Sequence, residues 1–291
     1  MLKSKLTDYL HLHFIVFIWG FTAILGKLIS INAVALVWFR LTIATIILFI
    51  YLLILKTNFK VKIKDLSRFC IGGIIIGLHW LTFFYAIKIS NISITLAGLS
   101  TGALFVSFLE PIILKKRIKL YEMFLASITV IGIVIIFNVE NQFFYGLIVA
   151  LISASLSALF TVINSIYIQH YSASVLSVYE LMFATLTISI FLFFENGFSL
   201  KMFELSKNDW LYILILGSIC TAYALTASSK LLKKISPFTM MLTINLEPVY
   251  GIVLAILIFG DSEKMNPNFY IGVILILVTV VLNGIIKSKQ K

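Results

Sequence analysis

Charge is scarce in this 291-residue chain: Asp, Glu, Lys and Arg make up 12% of it, against 61% hydrophobic residues. An ordinary soluble domain carries about a quarter charged residues. A soluble globule of this length also lacks the interior volume for so much apolar side chain. Only two cysteines are present, Cys70 and Cys220; they form no disulfide framework and no Cys/His metal spacing. Prolines number four, so long segments run without a breaker. HExxH, GxSxG, a P-loop, GxGxxG and a paired-aspartate metal motif are all missing. The sequence therefore carries no signature of an enzyme, and no metal or cofactor is expected.

What remains is a series of apolar runs, with a mean hydropathy of +1.08. They cover approximately 10–30, 33–55, 68–88, 93–114, 120–138, 143–168, 173–195, 209–230, 236–259 and 268–286. A helix needs about 20 apolar residues to cross a bilayer, and these runs have that length. Barrel strands would be about 10 residues long with alternating polarity; these runs are longer and continuous. The expected fold class is an all-α membrane protein of ten transmembrane helices. The basic start, Lys3 and Lys5, looks like the opening of a signal peptide. The apolar run after it extends to about Ser30 without a small-x-small cleavage pattern, so it reads as an uncleaved first span.

Basic residues orient the spans. With the N-terminus inside, 17 of the 23 Lys and Arg fall on the cytoplasmic side and 4 outside, while Lys27 and Arg40 lie within spans. This split predicts an even span count with both termini cytoplasmic. It also accounts for the net charge of +11, so nucleic acid is not an expected partner. Five spans per half would invert residues 141–291 relative to residues 1–140, an arrangement common in carriers. Leu109-Glu-Pro111 and Leu246-Glu-Pro248 suggest an offset of 137. Matching span exits instead gives about 145 and sets Gly102-Ala103 opposite Glu247-Pro248.

Ionisable groups inside a bilayer are costly, about 2.5–3.5 kcal/mol each on insertion scales, so each invites a functional reading. Lys27, at the end of the first span on one face with Trp19, is a vestibule cation or snorkels to the interface. Arg40, deep in span 2, binds a substrate carboxylate or ties the bundle to backbone carbonyls. Glu110 is close enough to its basic cluster to pair with Lys115. Glu180 in span 7 is a proton or cation site or a polar lock. Glu247 is the leading candidate. It lies near the middle of span 9, on a face with Thr239, Thr243 and Gly251, and Pro248 leaves the Ile244 carbonyl without its helical donor. A carboxylate beside a free carbonyl suits a proton or an amine. His79 and Trp80 in span 3, Asn164 in span 6, Tyr223 in span 8 and Asn245 beside Glu247 are softer candidates. Stripes of Ser, Thr, Gly and Ala on spans 4, 6 and 8 pack helices or border a polar cavity.

These residues carry a resemblance. Trp19-Gly20 followed by Lys27, Arg40 in the second span, Tyr85-Ala-Ile-Lys88 and Asn245-Leu-Glu-Pro-Val-Tyr-Gly251 stand in the order and spacing of the EamA-type carriers of the drug/metabolite transporter superfamily. The chain resembles that family along nearly its whole length. It departs from it at Gly102-Ala103, where a proline often occurs, and at Gly260-Asp261, where Gly-Glu is usual. The resemblance implies export or exchange of small metabolites, often amino acids or amphipathic compounds, by alternating access. It also implies a central cavity lined largely by spans 1, 3, 4, 6, 8 and 9. The setting expected for such a carrier is a bacterial-type plasma membrane. A small-molecule substrate and membrane lipids are the expected partners, with a coupling proton and a homodimer left open. The competing classes are an intramembrane or lipid-modifying enzyme, which would need a clustered catalytic group, and a channel, which would need a filter-like loop.

Overall fold

The structure is a computed structural model and describes residues 2–117, 120–194 and 197–289; Lys119 and Lys291 of the basic count lie outside them. Helices account for nearly all of it, because in lipid every backbone N–H and C=O needs an internal partner. Helix α1 (Leu2–Leu28) turns tightly into α2 (Ala33–Ile54), whose first turn is capped by Asn32 accepting from the Ala35 N–H at 2.9 Å. Helix α3 (Ile63–Ile89) leads to α4 (Ile92–Leu99), capped in the same way by Asn91 on the Ile94 N–H at 2.8 Å.

The fourth apolar run does not stay one helix. It stops at Ser100-Thr101 and resumes as α5 (Gly102–Ile113). The cause is local, since the Ser100 and Thr101 hydroxyls donate to the Ala97 and Gly98 carbonyls at 2.6 and 2.7 Å, competing with the helical ladder. Helices α6 (Leu120–Val139), α7 (Phe144–Tyr167) and α8 (Ala173–Phe194) follow. Helix α9 (Lys207–Gly217) widens into a π turn at Ser218–Tyr223 before α10 (Ala224–Leu231).

The ninth run is α11 (Pro237–Ile244) and α12 (Glu247–Phe259), broken at Asn245-Leu246. The expected kink at Pro248 is thus a full break, placing Pro248 in the first turn of α12, where a missing N–H is harmless. Gly260 ends α12 with φ +60°, a conformation that favours glycine. The last helix is α13 (Pro267–Lys289).

Eight helical stretches among the described residues are long and apolar enough to cross a membrane. Shorter apolar helices, Ser127–Asn138 and Pro267–Thr279, lie within α6 and α13. Helix α3 packs on α7 and α8, α2 on α8 and α9, α1 on α10 and α12, α4 on α7 and α12, and α5 on α7 and α11, while α6 and α13 pair together. The outward faces are apolar: Ile54, Phe194 and Leu257 are 73%, 76% and 75% exposed, as lipid contact requires. Where α1 crosses α12, a Cβ on Gly20 would lie 3.0 Å from the Tyr250 Cβ and 3.5 Å from the Gly251 nitrogen. Gly251 therefore serves close helix approach.

Candidate functional site

A buried cavity of about 70 Å³ lies at the centre of the bundle. Trp19 and Thr22 of α1, Arg40 of α2, and Ile76, His79, Trp80 and Phe83 of α3 border it. From the other half come Ser157, Phe160 and Thr161 of α7, Leu225, Ser228 and Ser229 of α10, Met240, Met241 and Ile244 of α11, and Glu247 of α12. The cavity gathers one cation, one carboxylate, several hydroxyls and an aromatic wall.

Arg40 is the largest fully buried side chain. Its Nε donates to the Thr221 hydroxyl at 2.6 Å, and its guanidinium stacks 4.3 Å from the Trp80 ring. Thr221 sits in the π turn and donates in turn to the Leu216 carbonyl at 2.7 Å. The widened turn thereby holds the arginine in place, a use of π turns that recurs at functional sites. Both terminal nitrogens of Arg40 are buried without a hydrogen-bond partner in the described structure. Glu247 attracts Arg40 electrostatically, but no ion pair joins them among the described residues. Opposite charges thus border one cavity with a gap between them.

The remaining expected residues separate. Trp19 lines the cavity while its indole donates to the Cys220 carbonyl at 3.2 Å, satisfying an acceptor of the π turn. His79 lines it too, with Nδ1 2.9 Å from both the carbonyl and the hydroxyl of Ser153. Glu180 and Asn164, both fully buried, meet each other instead, the Asn164 amide donating to Glu180 Oε2 at 3.3 Å. They stand against α3, where a Cβ on Gly72 would come within 2.7 Å of Glu180 Oε1. Asn245 lies at the α11–α12 break with both polar side-chain atoms buried and unpartnered. It faces the break in the fourth run, since a Cβ on Gly102 would lie 3.9 Å from Asn245 Oδ1. Thr243 donates to the Thr239 carbonyl at 3.0 Å. Tyr223 is 42% exposed and bonds His11 at 2.8 Å, so it lies on the periphery. Glu110 pairs with Lys116 at 2.9 Å; the expected partner had been Lys115.

Lys27 reaches one end of the bundle, where its side chain is partly exposed and has a partner the sequence did not suggest. It forms an ion pair of 2.7 Å with Glu263, which also accepts from the Ile92 and Ser93 N–H groups at 3.1 and 2.9 Å. A buried carboxylate at the N-terminus of α4 is favoured by the helix dipole. This clasp joins α1, α4 and the residues after α12 at one end of the bundle. At the same end Asp209 accepts from the Ser30 backbone and hydroxyl, both at 2.8 Å.

Sequence reasoning missed Glu263, which lies in a short polar break between spans. It also missed Thr22 and Phe83, although Thr22 follows Trp19 by one turn and Phe83 follows His79 by one turn. Met240 and Met241 carried no signal, because a methionine in an apolar run looks like core.

The fold and cavity define a multi-pass helical membrane protein built around a central polar site. The EamA-like transporter family matches residues 9–138 and again residues 144–285, and the chain belongs to that family. A curated relative, an uncharacterized transporter of Clostridium kluyveri, is 25% identical over 234 residues, covering 77% of this chain and 74% of its own. A solved crystal structure aligns over 96% of this chain and 97% of its own with a TM-score of 0.69. Its 13% identity makes that a likeness of fold. These findings make the chain a membrane transporter and point away from an enzyme.

Proposed function

We propose that this chain is a secondary carrier for small amphipathic organic metabolites that bear both a cationic and an anionic group, amino acids among them. One observation carries this reading: Arg40 and Glu247 border the same buried cavity without touching, and Arg40 keeps two unpartnered nitrogens. An unpaired buried donor costs about 1–3 kcal/mol, more when charged. A substrate carboxylate on Arg40 and an amine on Glu247 would relieve both charges. Trp80, Phe83 and Phe160 offer its apolar part an aromatic wall. When the amine leaves, a proton on Glu247 can take its place, which would couple transport to pH.

Alternating access through ten spans in two inverted halves fits the packing. Under an exchange of halves, α1 on α12 corresponds to α7 on α5, α1 on α11 to α7 on α4, and α2 on α9 to α8 on α3. Helix α12 begins 145 residues after α5, and α11 begins 145 residues after α4, the offset expected from the span exits. The distribution of basic residues supports cytoplasmic termini, in the bacterial-type plasma membrane expected for such a carrier. Ligand sites usually measure about 300–1,000 Å³, so a cavity of about 70 Å³ represents a contracted state. The clasp of Lys27 and Glu263 would then hold the outer end closed.

Purified protein in liposomes preloaded with unlabelled amino acids should take up labelled amino acid by counterflow. Glu247→Gln should remove the pH dependence of that exchange while the protein stays folded. No counterflow across an amino-acid and amphipathic-metabolite panel, with folded protein, would overturn the reading. Unchanged pH dependence in the variant would remove the proton from it.

A further inference from the structure

An open cleft of about 680 Å³ lies away from the central site. The connection between α2 and α3, the first turns of α3 and the end of α7 with the residues after it border this cavity. Four cations border it, Lys60, Lys62, Lys64 and Arg68, against one carboxylate, Asp65. That carboxylate is already engaged: it accepts from Arg68 at 2.8 Å and from the Tyr171 hydroxyl. Lys60, Lys62 and Lys64 have no ion pair among the described residues.

Span orientation alone asks only that basic residues gather near span ends. It does not ask for a concave site. In two other basic clusters on this side single lysines are paired, Lys116 with Glu110 at 2.9 Å and Lys234 with Asp8 at 2.8 Å, while Lys115, Arg117, Lys230 and Lys233 have no ion pair among the described residues; Lys60, Lys62, Lys64 and Arg68 differ in bordering one cleft together. Around this cleft the surface turns apolar at once. Ile63, between Lys62 and Lys64, is 86% exposed, and Ile166 lines the cavity wall. Tyr167 and Tyr171 stand at the boundary, where amphipathic rings favour the headgroup level.

We infer that this cavity binds the headgroup of an anionic phospholipid. The lysines and Arg68 hold the phosphodiester, and the acyl chains lie along the exposed isoleucines. Basic pockets between spans on the cytoplasmic side have the chemistry for such headgroups. A free phosphate would use the same cations but would gain nothing from the apolar rim. A lipid bound here touches the α2–α3 connection in one half and the end of α7 in the other. It therefore bridges the two halves, and the anionic lipid content of the membrane sets how readily that end of the bundle separates.

The test uses the whole chain in detergent, stripped of lipid and then titrated with phosphatidylglycerol or phosphatidylcholine, with bound lipid read by native mass spectrometry. Phosphatidylglycerol should be retained at least about tenfold over phosphatidylcholine, and K60Q/K62Q/K64Q should lose that preference. K115Q/K116Q should keep it. Inorganic phosphate should neither displace the lipid nor raise thermal stability. Because neutralising three lysines can disturb insertion, a photoreactive phosphatidylglycerol is applied to the wild type, which should be labelled within residues 54–68 and 163–171. Equal loss in both variants, displacement by phosphate, or labelling spread evenly over all the basic segments would each overturn the assignment.

Discussion

Helices α2 and α8 are the same element used twice. Each has 22 residues and ten buried positions, and nine of the ten coincide at a spacing of 140 residues, from Ala33 and Ala173 to Leu52 and Leu192; the tenth is Phe39 in α2 and Val178 in α8. At one of those positions α2 carries Arg40 and α8 carries Glu180, both fully buried. Each is crossed by a glycine. A Cβ on Gly217 would lie 3.1 Å from the Arg40 carbonyl, and one on Gly73 would lie 2.6 Å from the Glu180 carbonyl. The scaffold repeats while the chemistry diverges. Arg40 borders the central cavity with both terminal nitrogens unpartnered, whereas Glu180 meets Asn164 outside that lining and keeps one unpartnered oxygen, Oε1. A duplicated packing frame thus lets one half supply a cavity-facing charge while the other holds a polar contact between helices.

The strongest way to break this comparison is to neutralise both members. Arg40→Gln should cut counterflow by about 10–100-fold, the cost of a lost charge-assisted contact. Glu180→Gln, which keeps the Asn164 contact, should stay within about threefold of wild type. Equal losses would mean that both positions serve the substrate. The glycines sharpen the comparison next. Gly73→Ala should destabilise the protein by about 1–3 kcal/mol in a detergent melt. Gly217→Ala should cost less, because its nearest backbone atom, the Arg40 carbonyl oxygen, would lie 3.1 Å from the new Cβ, against 2.6 Å for the Glu180 carbonyl oxygen at Gly73. A smaller effect is expected at the clasp. Lys27→Met should lower stability by about 1 kcal/mol or less, since Lys27 is partly exposed and Glu263 keeps its backbone donors.

The smallest effect concerns Tyr171. Its bond to the Asp65 carboxylate, followed by partial burial, holds its hydroxyl above the ordinary tyrosine value. The bond's contribution is therefore complete below the ordinary value and fades as pH rises through the raised one. An alkaline melt series should show this loss in wild type and not in Tyr171→Phe.

Much of the frame was legible beforehand. The apolar runs anticipated the helices within a few residues, except that α1 begins at Leu2 and not near residue 10, and α3 at Ile63 and not near Arg68. Depth and residue type within the spans singled out Arg40, His79, Trp80 and Glu247, and the family resemblance added weight to Trp19, Arg40 and Glu247; all five border the cavity. The match of α2 to α8 was hidden because Arg40 and Glu180 are chemical opposites; packing repeats size and burial, and identity drifts. The breaks were only half visible. Pro248 signalled one, but Ser100-Thr101 broke the other through hydroxyl bonds that any serine or threonine in a helix offers.

Composition alone determined that this chain lives in a membrane, because so few charges and so much apolar surface leave no soluble alternative. Its basic residues, counted by loop, set the expected orientation. Which of the rare buried charges face one another was decided only by the tertiary structure. Lys27 found Glu263, Glu180 found Asn164, and Arg40 was left with free nitrogens across a cavity from Glu247. The physical reason is that the cost of burying a charge is local to its residue, whereas its relief depends on a partner brought near by helices far apart in the chain.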